Sequence, residues 1–246
     1  MKVNIIETKN YKVAVYIKGD NNASKIAIVI PGRLDTKDYA AMTSHVDFLA
    51  EQGYLALSFD PPGTWESPGD ISLYSTTSTL EAINELIEYF GNKPTLLVGH
   101  SRGGTNAMLV GISNPHVTSF VAVMSHAGPT TVERPKDGQS VISYRDLPPG
   151  TEHTKDKKEF ALPVSYFEDQ EKYDATEGLK SRTKPKLFFY GTQDVLVSPE
   201  SVKKMYELSA EPKMIHELNT EHDYRLHSEI IKEVNDTIGE FIGNYE

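Results

Sequence analysis

The stretch that decides the fold is residues 95–104, which read TLLVGHSRGG. An apolar run is followed by the pattern Gly-x-Ser-x-Gly centred on Ser101, and an apolar helix is predicted after it. A serine at the tip of a tight strand-to-helix turn has a strained backbone, so the positions two before and two after it must be small. Gly99 and Gly103 meet this requirement. The stretch therefore predicts a strand, a sharp turn that carries Ser101 as a nucleophile, and a helix.

Further short apolar runs lie on both sides of this stretch. Continuous apolar strands of this kind suit a parallel sheet that is buried on both faces. They are predicted at residues 26–30, 55–57, 95–98, 120–124, 186–190 and 214–218. Residues 11–17 are interpreted as an edge strand, which a turn at residues 19–22 joins to the strand at 26–30 as a hairpin.

Helical patterns fall between these strands. One is marked by a capping box at Ser78–Glu81, an apolar stripe and a glycine stop at Gly91. Others are predicted at residues 39–52, 198–208 and 228–242. The alternation predicts an α/β fold with a doubly wound, mostly parallel sheet and helices on both of its faces.

One segment interrupts this alternation. Residues 128–184 are rich in Pro, Lys, Asp and Glu with scattered aromatic residues, and the segment is too long for an ordinary loop. We interpret it as a small inserted cap or lid, with residues 1–127 and 185–246 forming a single core domain. The alternative is a disordered excursion, which is less favoured because the aromatic side chains provide apolar surface to bury.

A serine hydroxyl needs a base to take its proton, and that base needs an acid to orient it. Asp194 follows the strand at 186–190, and His222 follows the strand at 214–218. Both therefore lie in loops at the carboxyl ends of strands, where side chains point into the site. The weaker rivals are Asp169, Asp174 and Asp223 for the acid, and His227 for the base.

Acyl transfer also needs N–H donors for the oxyanion. The N–H of Arg102, directly after the nucleophile, is the first candidate. The N–H of Arg33, after the strand that ends in Pro31-Gly32, is the second, with Leu34 as the alternative. The two arginine side chains are expected to pair with Asp35 or Glu66 at the surface, although they could instead favour an acyl group that carries a carboxylate.

The composition excludes several classes of function. With 25 Lys and Arg against 35 Asp and Glu, the net charge of −10 argues against nucleic acid or an anionic membrane as a partner. The absence of cysteine rules out a thiolate nucleophile and cysteine-based metal sites. Neither an H-E-x-x-H pattern nor a phosphate-binding loop is present, so no metal and no cofactor are expected. The charged N-terminus and the lack of a long apolar run favour a cytoplasmic location.

Taken together, these motifs resemble the α/β-hydrolase superfamily over nearly the whole chain. The matching pieces are PGR at Pro31, FDPPGTWESPG from Phe59, GHSRGG at Gly99, YGTQD at Tyr190 and EHDYR at Glu221. The chain departs from the family pattern at Pro31, where many relatives have histidine, and at Thr64-Trp65, where they have a second glycine.

The resemblance implies a Ser101–Asp194–His222 triad in the family order of serine, acid and histidine. It also implies an oxyanion hole that includes the Arg33 and Arg102 N–H groups, and hydrolysis of a small-molecule carboxylic ester through an acyl-enzyme. The segment before residue 185 is similar in placement to the cap of cinnamoyl and feruloyl esterases. A peptidase, a thioesterase, a carbon–carbon bond hydrolase and a non-catalytic binding protein of the same fold are the alternatives, and the sequence leaves the oligomeric state open.

Overall fold

A computed structural model describes residues 3–129 and 139–245. Its main sheet has eight strands in the order β1-β2-β4-β3-β5-β6-β9-β10, and a separate antiparallel pair is formed by β7 and β8. In the main sheet the strands from β4 to β10 are parallel, whereas β2 runs antiparallel to both of its neighbours. The strands are β1 (Asn4–Glu7), β2 (Lys12–Lys18), β3 (Ile26–Ile30), β4 (Leu55–Phe59), β5 (Thr95–His100), β6 (Val117–Val123), β7 (Val141–Asp146), β8 (Lys157–Leu162), β9 (Lys186–Gly191) and β10 (Lys213–Leu218).

Helices cover both faces of the main sheet, which confirms the doubly wound α/β prediction. The helices are α1 (Ala40–Glu51), α2 (Thr76–Tyr89), α3 (Arg102–Ser113), α4 (Val164–Gln170), α5 (Thr176–Ser181), α6 (Pro199–Leu208) and α7 (Ser228–Tyr245). One apolar layer joins the sheet to α2, α3 and α6, and the other joins it to α1 and α7. Among the described helices, none combines the length and the apolarity that a bilayer-spanning segment requires.

The opening of the chain differs from the prediction. Residues 11–17 do not form an edge strand or a hairpin with residues 26–30, because β2 pairs with β1 on one side and with β4 on the other. All five residues of β3 are buried, and β3 lies between β4 and β5 in the interior of the sheet. A strand that is apolar on both faces gains more from this central position than from the edge of the sheet.

The start of α2 also differs from the prediction. The predicted capping box at Ser78–Glu81 lies within the helix, from its third to its sixth residue, and the N-cap is Ser75. The Ser75 hydroxyl accepts the Ser78 N–H at 3.0 Å, and the Ser78 hydroxyl accepts the Ser75 N–H at 3.0 Å. Serine at the third helical position thus supplies the reciprocal bond that glutamate or glutamine usually provides. The ends predicted for α1 and α6 agree with the structure to within one residue, and α7 continues past the predicted residue 242 to Tyr245.

The segment between β6 and β9 packs on the carboxyl ends of the parallel strands. Its described part contains the β7–β8 pair, α4 and α5. Phe160, Tyr166 and Phe167 are buried in an aromatic cluster with Leu34 and Tyr74 from the core, which argues against a disordered excursion for these residues. Residues 130–138 of the predicted cap lie outside the described residues. The assignment of residues 128–184 as a cap or lid stays a prediction.

A neutral histidine joins the two helices on one face of the sheet. His45 on α1 donates through Nδ1 to the Asn235 side-chain oxygen of α7 at 2.6 Å. Its Nε2 accepts the Tyr224 hydroxyl at 2.7 Å. Burial lowers the pKa of His45 to about 4, against the opposing effect of the Asn235 hydrogen bond. His45 is therefore uncharged at neutral pH, and each ring nitrogen has a partner.

This buried histidine predicts a loss of stability in acid. The folded-state pKa lies below the ordinary value of 6.5, so the unfolded chain binds the proton first as the pH falls. The contribution of neutral His45 is complete above pH 6.5 and declines toward pH 4. The free energy of unfolding should therefore be about 2 kcal/mol lower at roughly pH 5 than at neutral pH.

Urea unfolding at neutral and at acid pH measures this effect, with His45→Gln as the variant. Between neutral and acid pH, the free energy of unfolding of the variant should fall by about 2 kcal/mol less than that of the wild type. His116→Gln, in the turn before β6, serves as the control for loss of a histidine outside the core. Equal losses in the wild type and His45→Gln would show that His45 does not carry the proton.

The first turn of α3 lies directly against the end of β3. A Cβ built on Gly103 would overlap the carbonyl oxygen of Ile30 and would lie 2.6 Å from that of Pro31. Both obstacles are backbone atoms, so a side chain at this position requires the helix or the strand to move. Gly103 therefore sets the distance between α3 and β3.

Gly103→Ala is expected to destabilise the fold by about 2 kcal/mol or more, because backbone overlap cannot be relieved by a side-chain rotation. Gly243→Ala is the matched control, since a Cβ at Gly243 would have no atom within 4 Å other than the nearby backbone of its own helix. The control should leave stability unchanged or raise it by at most about 1 kcal/mol. Urea unfolding followed by circular dichroism compares the two variants, and equal effects would contradict the packing argument.

Candidate active site

Ser101 lies in the turn between β5 and α3, at the centre of the parallel strands. Its backbone has φ 52 and ψ −121, a combination that costs an L-residue conformational energy. The turn is held because the Ser101 N–H donates to the Val123 carbonyl at 2.9 Å. A Cβ on Gly99 would overlap the Gly103 carbonyl, so both glycines of the motif are required by close backbone approach.

Three predicted side chains form one hydrogen-bonded chain. His222 Nε2 lies 2.9 Å from Ser101 Oγ, and His222 Nδ1 lies 2.7 Å from Asp194 Oδ2. Asp194 comes from the loop after β9 and His222 from the loop after β10. Since β5, β9 and β10 are parallel strands of one sheet, their carboxyl ends bring residues 121 positions apart into contact.

Asp194 is held as a carboxylate. Its Oδ1 accepts the N–H groups of Leu196 and Val197, each at 2.8 Å. Burial alone raises the pKa of Asp194, but the hydrogen bonds from His222 and from these N–H groups outweigh it, and the pKa lies below its ordinary value. An ionised Asp194 accepts Nδ1–H from His222, which leaves Nε2 as the nitrogen that faces the Ser101 hydroxyl.

His100 supports the loop that carries His222. Its Nε2 donates to the His222 carbonyl oxygen at 3.0 Å, and the two rings lie 5.0 Å apart. The Tyr224 ring packs edge-on against His100 at 5.0 Å. His100 is 4% exposed, so this support lies in the interior of the protein.

The predicted rivals all have other partners. His227 Nε2 pairs with Glu221 at 2.8 Å, and Asp169 accepts hydrogen bonds from Thr77. Asp174 accepts the Thr176 N–H at 2.7 Å at the start of α5. Asp223 faces Arg225 at 3.7 Å. Among the described residues, none of these rivals contacts Ser101.

The loop after β3 is fixed at successive peptide groups. The Gly32 carbonyl accepts the Asp35 N–H at 3.1 Å. The Leu34 N–H donates to the Tyr74 hydroxyl at 3.2 Å, so this alternative oxyanion donor is already engaged. The C=O and N–H of a trans peptide point in opposite directions. The Arg33 N–H, which shares a peptide group with the Gly32 carbonyl, therefore points away from the Asp35 N–H.

Arg145 holds the same loop from the β7–β8 pair. Its Nε and one terminal nitrogen donate to the Arg33 carbonyl at 3.0 and 2.7 Å. The Trp65 indole N–H donates to the Leu34 carbonyl at 2.8 Å. No sequence motif pointed to either contact, because Arg145 lies in the predicted cap and Trp65 lies at a departure from the family pattern.

The expected surface pairing of the two arginines is wrong. The Asp35 carboxylate lies 3.4 Å from Arg145 Nε, and the Glu66 carboxylate lies 2.5 Å from Lys37 Nζ. Both carboxylates thus have cations other than Arg33 and Arg102. The Lys37 ammonium also contacts Asp38 and Asp60 at 2.5 and 3.5 Å. It therefore occupies the centre of the carboxylate group formed by Asp38, Asp60 and Glu66, whose spacing would otherwise suit a metal ion.

A cavity of about 430 Å³ opens beside Ser101. Side chains from the core loops and from the β7–β8 segment share its wall. The residues that line it are Arg33, Asp35, His100, Ser101, Arg102, Thr105, His126, Tyr144, Arg145, Asp146, His153, Lys157, Leu196, Val197, His222, Asp223 and Arg225. The sequence identified the serine, the histidine and two of the arginines, but it did not indicate the polar residues that β7 and β8 contribute.

Comparison with known proteins identifies the fold that carries these residues. The family model described as the alpha/beta hydrolase fold matches residues 28–147. A 2-hydroxy-6-oxononadienedioate/2-hydroxy-6-oxononatrienedioate hydrolase of a Pseudomonas species is 22% identical over 139 residues, which are 54% of this chain and 49% of the relative. The match thus spans about half the length of that curated relative.

Solved structures share the fold over almost the entire chain. Est1E from Butyrivibrio proteoclasticus with bound ferulic acid superposes with a TM-score of 0.77 at 18% identity, covering 98% of each chain. Alpha/beta hydrolase domain-containing protein 10 from mouse gives a TM-score of 0.77 at 18% identity and covers 100% of each chain. The family-model match over residues 28–147 and the structural superpositions show that this chain has the α/β-hydrolase fold.

Proposed function

We propose that the protein is a serine hydrolase that cleaves carboxylic esters, with Ser101 as nucleophile, His222 as base and Asp194 as the acid that orients it. The observation that carries this proposal is the hydrogen-bonded chain from Ser101 through His222 to Asp194, at 2.9 and 2.7 Å, beside an open cavity. A strained serine turn is otherwise a cost to the fold, and its presence together with a base and an acid favours a catalytic role over a packing role.

In the proposed reaction, Ser101 Oγ attacks the ester carbonyl carbon while its proton passes to His222 Nε2. The imidazolium that forms is stabilised by the Asp194 carboxylate. His222 then gives the proton to the departing alcohol oxygen, and the acyl group remains on Ser101. Water attacks this acyl-enzyme, gives its proton to His222 and releases the acid, while the proton returns to Ser101.

The oxyanion of each tetrahedral intermediate needs donors that are already in place. We assign this role to the N–H groups of Arg33 and Arg102. Arg102 is the first residue of α3, so the positive end of the helix dipole adds to its N–H. The next peptide group, between Arg33 and Leu34, is held at both ends, because Arg145 donates to its carbonyl and its N–H donates to the Tyr74 hydroxyl. These contacts support a preformed Arg33 N–H donor.

The reaction class rests on more than one observation. Est1E binds ferulic acid, another structural neighbour is the esterase domain of a Rhodothermus marinus protein, and this chain shares the fold of both at low identity. The curated relative is named for a keto-dioate substrate, so a diketone joins ester, thioester and amide substrates in the test panel. A small-molecule ester as substrate and a cytoplasmic location remain part of the same proposal.

Ser101→Ala is expected to abolish both hydrolysis of short p-nitrophenyl esters and labelling by a fluorophosphonate probe, because both need the same oxygen nucleophile. Ser113→Ala, at the far end of α3 and exposed to solvent, is the matched control and should retain both signals. If the folded wild type shows neither turnover nor labelling, the proposal fails and a binding role on the same fold replaces it.

Asp194→Asn tests the orienting acid. Loss of the carboxylate removes the acceptor that fixes the His222 tautomer, and kcat should fall by about a factor of 10³–10⁴ without loss of the fold. Asp174→Asn replaces a rival carboxylate that only binds the start of α5, and its kcat should match the wild type. A kcat for Asp194→Asn within a factor of about ten of the wild type would exclude Asp194 from this role.

A further inference from the structure

The cavity beside Ser101 has a charge opposite in sign to that of the chain. The chain carries a formal net charge of −10, whereas cationic side chains outnumber carboxylates in the cavity wall. The cations are Arg33, Arg102, Arg145, Lys157 and Arg225, and the carboxylates are Asp35, Asp146 and Asp223. A cleft with an excess of one sign of charge concentrates ligands of the other sign.

The carboxylates of the cavity are matched to cations other than Arg33. Asp35 lies 3.4 Å from Arg145. Asp146 lies 2.6 Å from Arg225 and 3.3 Å from Lys157. Asp223 is 3.7 Å from Arg225. These pairs hold the β7–β8 segment and the His222 loop together, and they neutralise one another.

Arg33 has no such counterion. Within residues 3–129 and 139–245, its guanidinium makes no hydrogen bond and no ion pair with a carboxylate. The residue is half-buried, so its side chain has lost part of its contact with water. A partly desolvated guanidinium without an anion is costly, and a bound carboxylate offsets that cost with two parallel hydrogen bonds.

A second guanidinium lies close by. Arg102 donates to the side-chain oxygen of Gln170 on α4 at 2.6 Å. Burial raises the pKa of the Tyr74 phenol well above its ordinary value, and the charges of Arg102 and Arg33 both act in the opposite direction. Both guanidinium groups therefore lie near the same phenol, next to the loop after β3.

We propose that the ester substrate carries a carboxylate and that the Arg33 guanidinium binds this carboxylate beside Ser101. This inference rests on the proposed function, since it assigns the substrate class of the same site. The Arg33 N–H and the Arg33 side chain then have separate tasks, because the first faces the reacting carbonyl and the second holds the charged end of the substrate. An ester without the carboxylate lacks the second contact and reacts more slowly.

Matched esters test the preference on the wild type. For a carboxylate on the acyl side, the p-nitrophenyl monoester of adipic acid is compared with p-nitrophenyl hexanoate, which has the same chain length without the charge. For a carboxylate on the alcohol side, para-carboxyphenyl hexanoate is compared with its para-methoxycarbonyl analogue. One charged ester should have a kcat/KM about tenfold or more above its neutral partner, and added sodium chloride should reduce that ratio.

Variants at Arg33 identify the group responsible. Arg33→Met removes the charge and should reduce the charged-to-neutral ratio of kcat/KM by about tenfold, whereas Arg33→Lys should retain part of it. Arg182→Met removes an exposed arginine at the end of α5 and should leave the ratio unchanged. Protection of Ser101 from fluorophosphonate labelling by the monoamide of adipic acid, stronger than protection by its uncharged diamide, provides a readout that does not depend on turnover.

Two results would overturn the inference. If the wild type hydrolyses the neutral esters with no preference for either charged ester, the carboxylate proposal fails while the serine hydrolase proposal stands. The same holds if Arg33→Met keeps the charged-to-neutral ratio of the wild type. Absence of both turnover and labelling in the wild type overturns the proposed function itself, and the carboxylate proposal with it.

Discussion

The close approach of three backbone segments at the end of β5 is the constraint on which the rest of the site depends. The first turn of α3 lies against the carbonyls at the end of β3, and the turn before it folds back on Gly99. Only glycine leaves room at these contacts, and the serine between them takes a positive φ. The position of Ser101 is thus fixed by main-chain packing, and the side chains around it are arranged to match.

The neighbouring loops reach Ser101 because they end parallel strands of the same sheet. Asp194 is oriented by two N–H groups of its own loop, and His222 is oriented by Asp194 on one side and by His100 on the other. Each group is therefore held by contacts that do not involve the serine. Such preorganisation limits the reorganisation that a reaction at Ser101 would require.

The sequence predicted the parts of the structure that are determined locally. Apolar runs located the buried strands, and the glycine spacing located the turn at Ser101, because both depend on a few adjacent residues. The pairing of β2 was predicted wrongly, since strand partners depend on which strands hydrogen-bond along the two edges of β3, and these are β4 and β5. The partners of Asp35 and Glu66 were also predicted wrongly, because Arg145 and Lys37 reach them through the tertiary fold.

The contact of Arg145 with the Arg33 carbonyl makes the β7–β8 segment a structural support of the loop after β3 as well as a wall of the cavity. The segment that shapes the binding space and the loop assigned to the oxyanion are therefore mechanically linked. Replacing the β7–β8 segment with that of a relative would remove the Arg145 hydrogen bonds to this loop together with the cavity wall. Specificity and rate are consequently not independent targets for engineering in this chain.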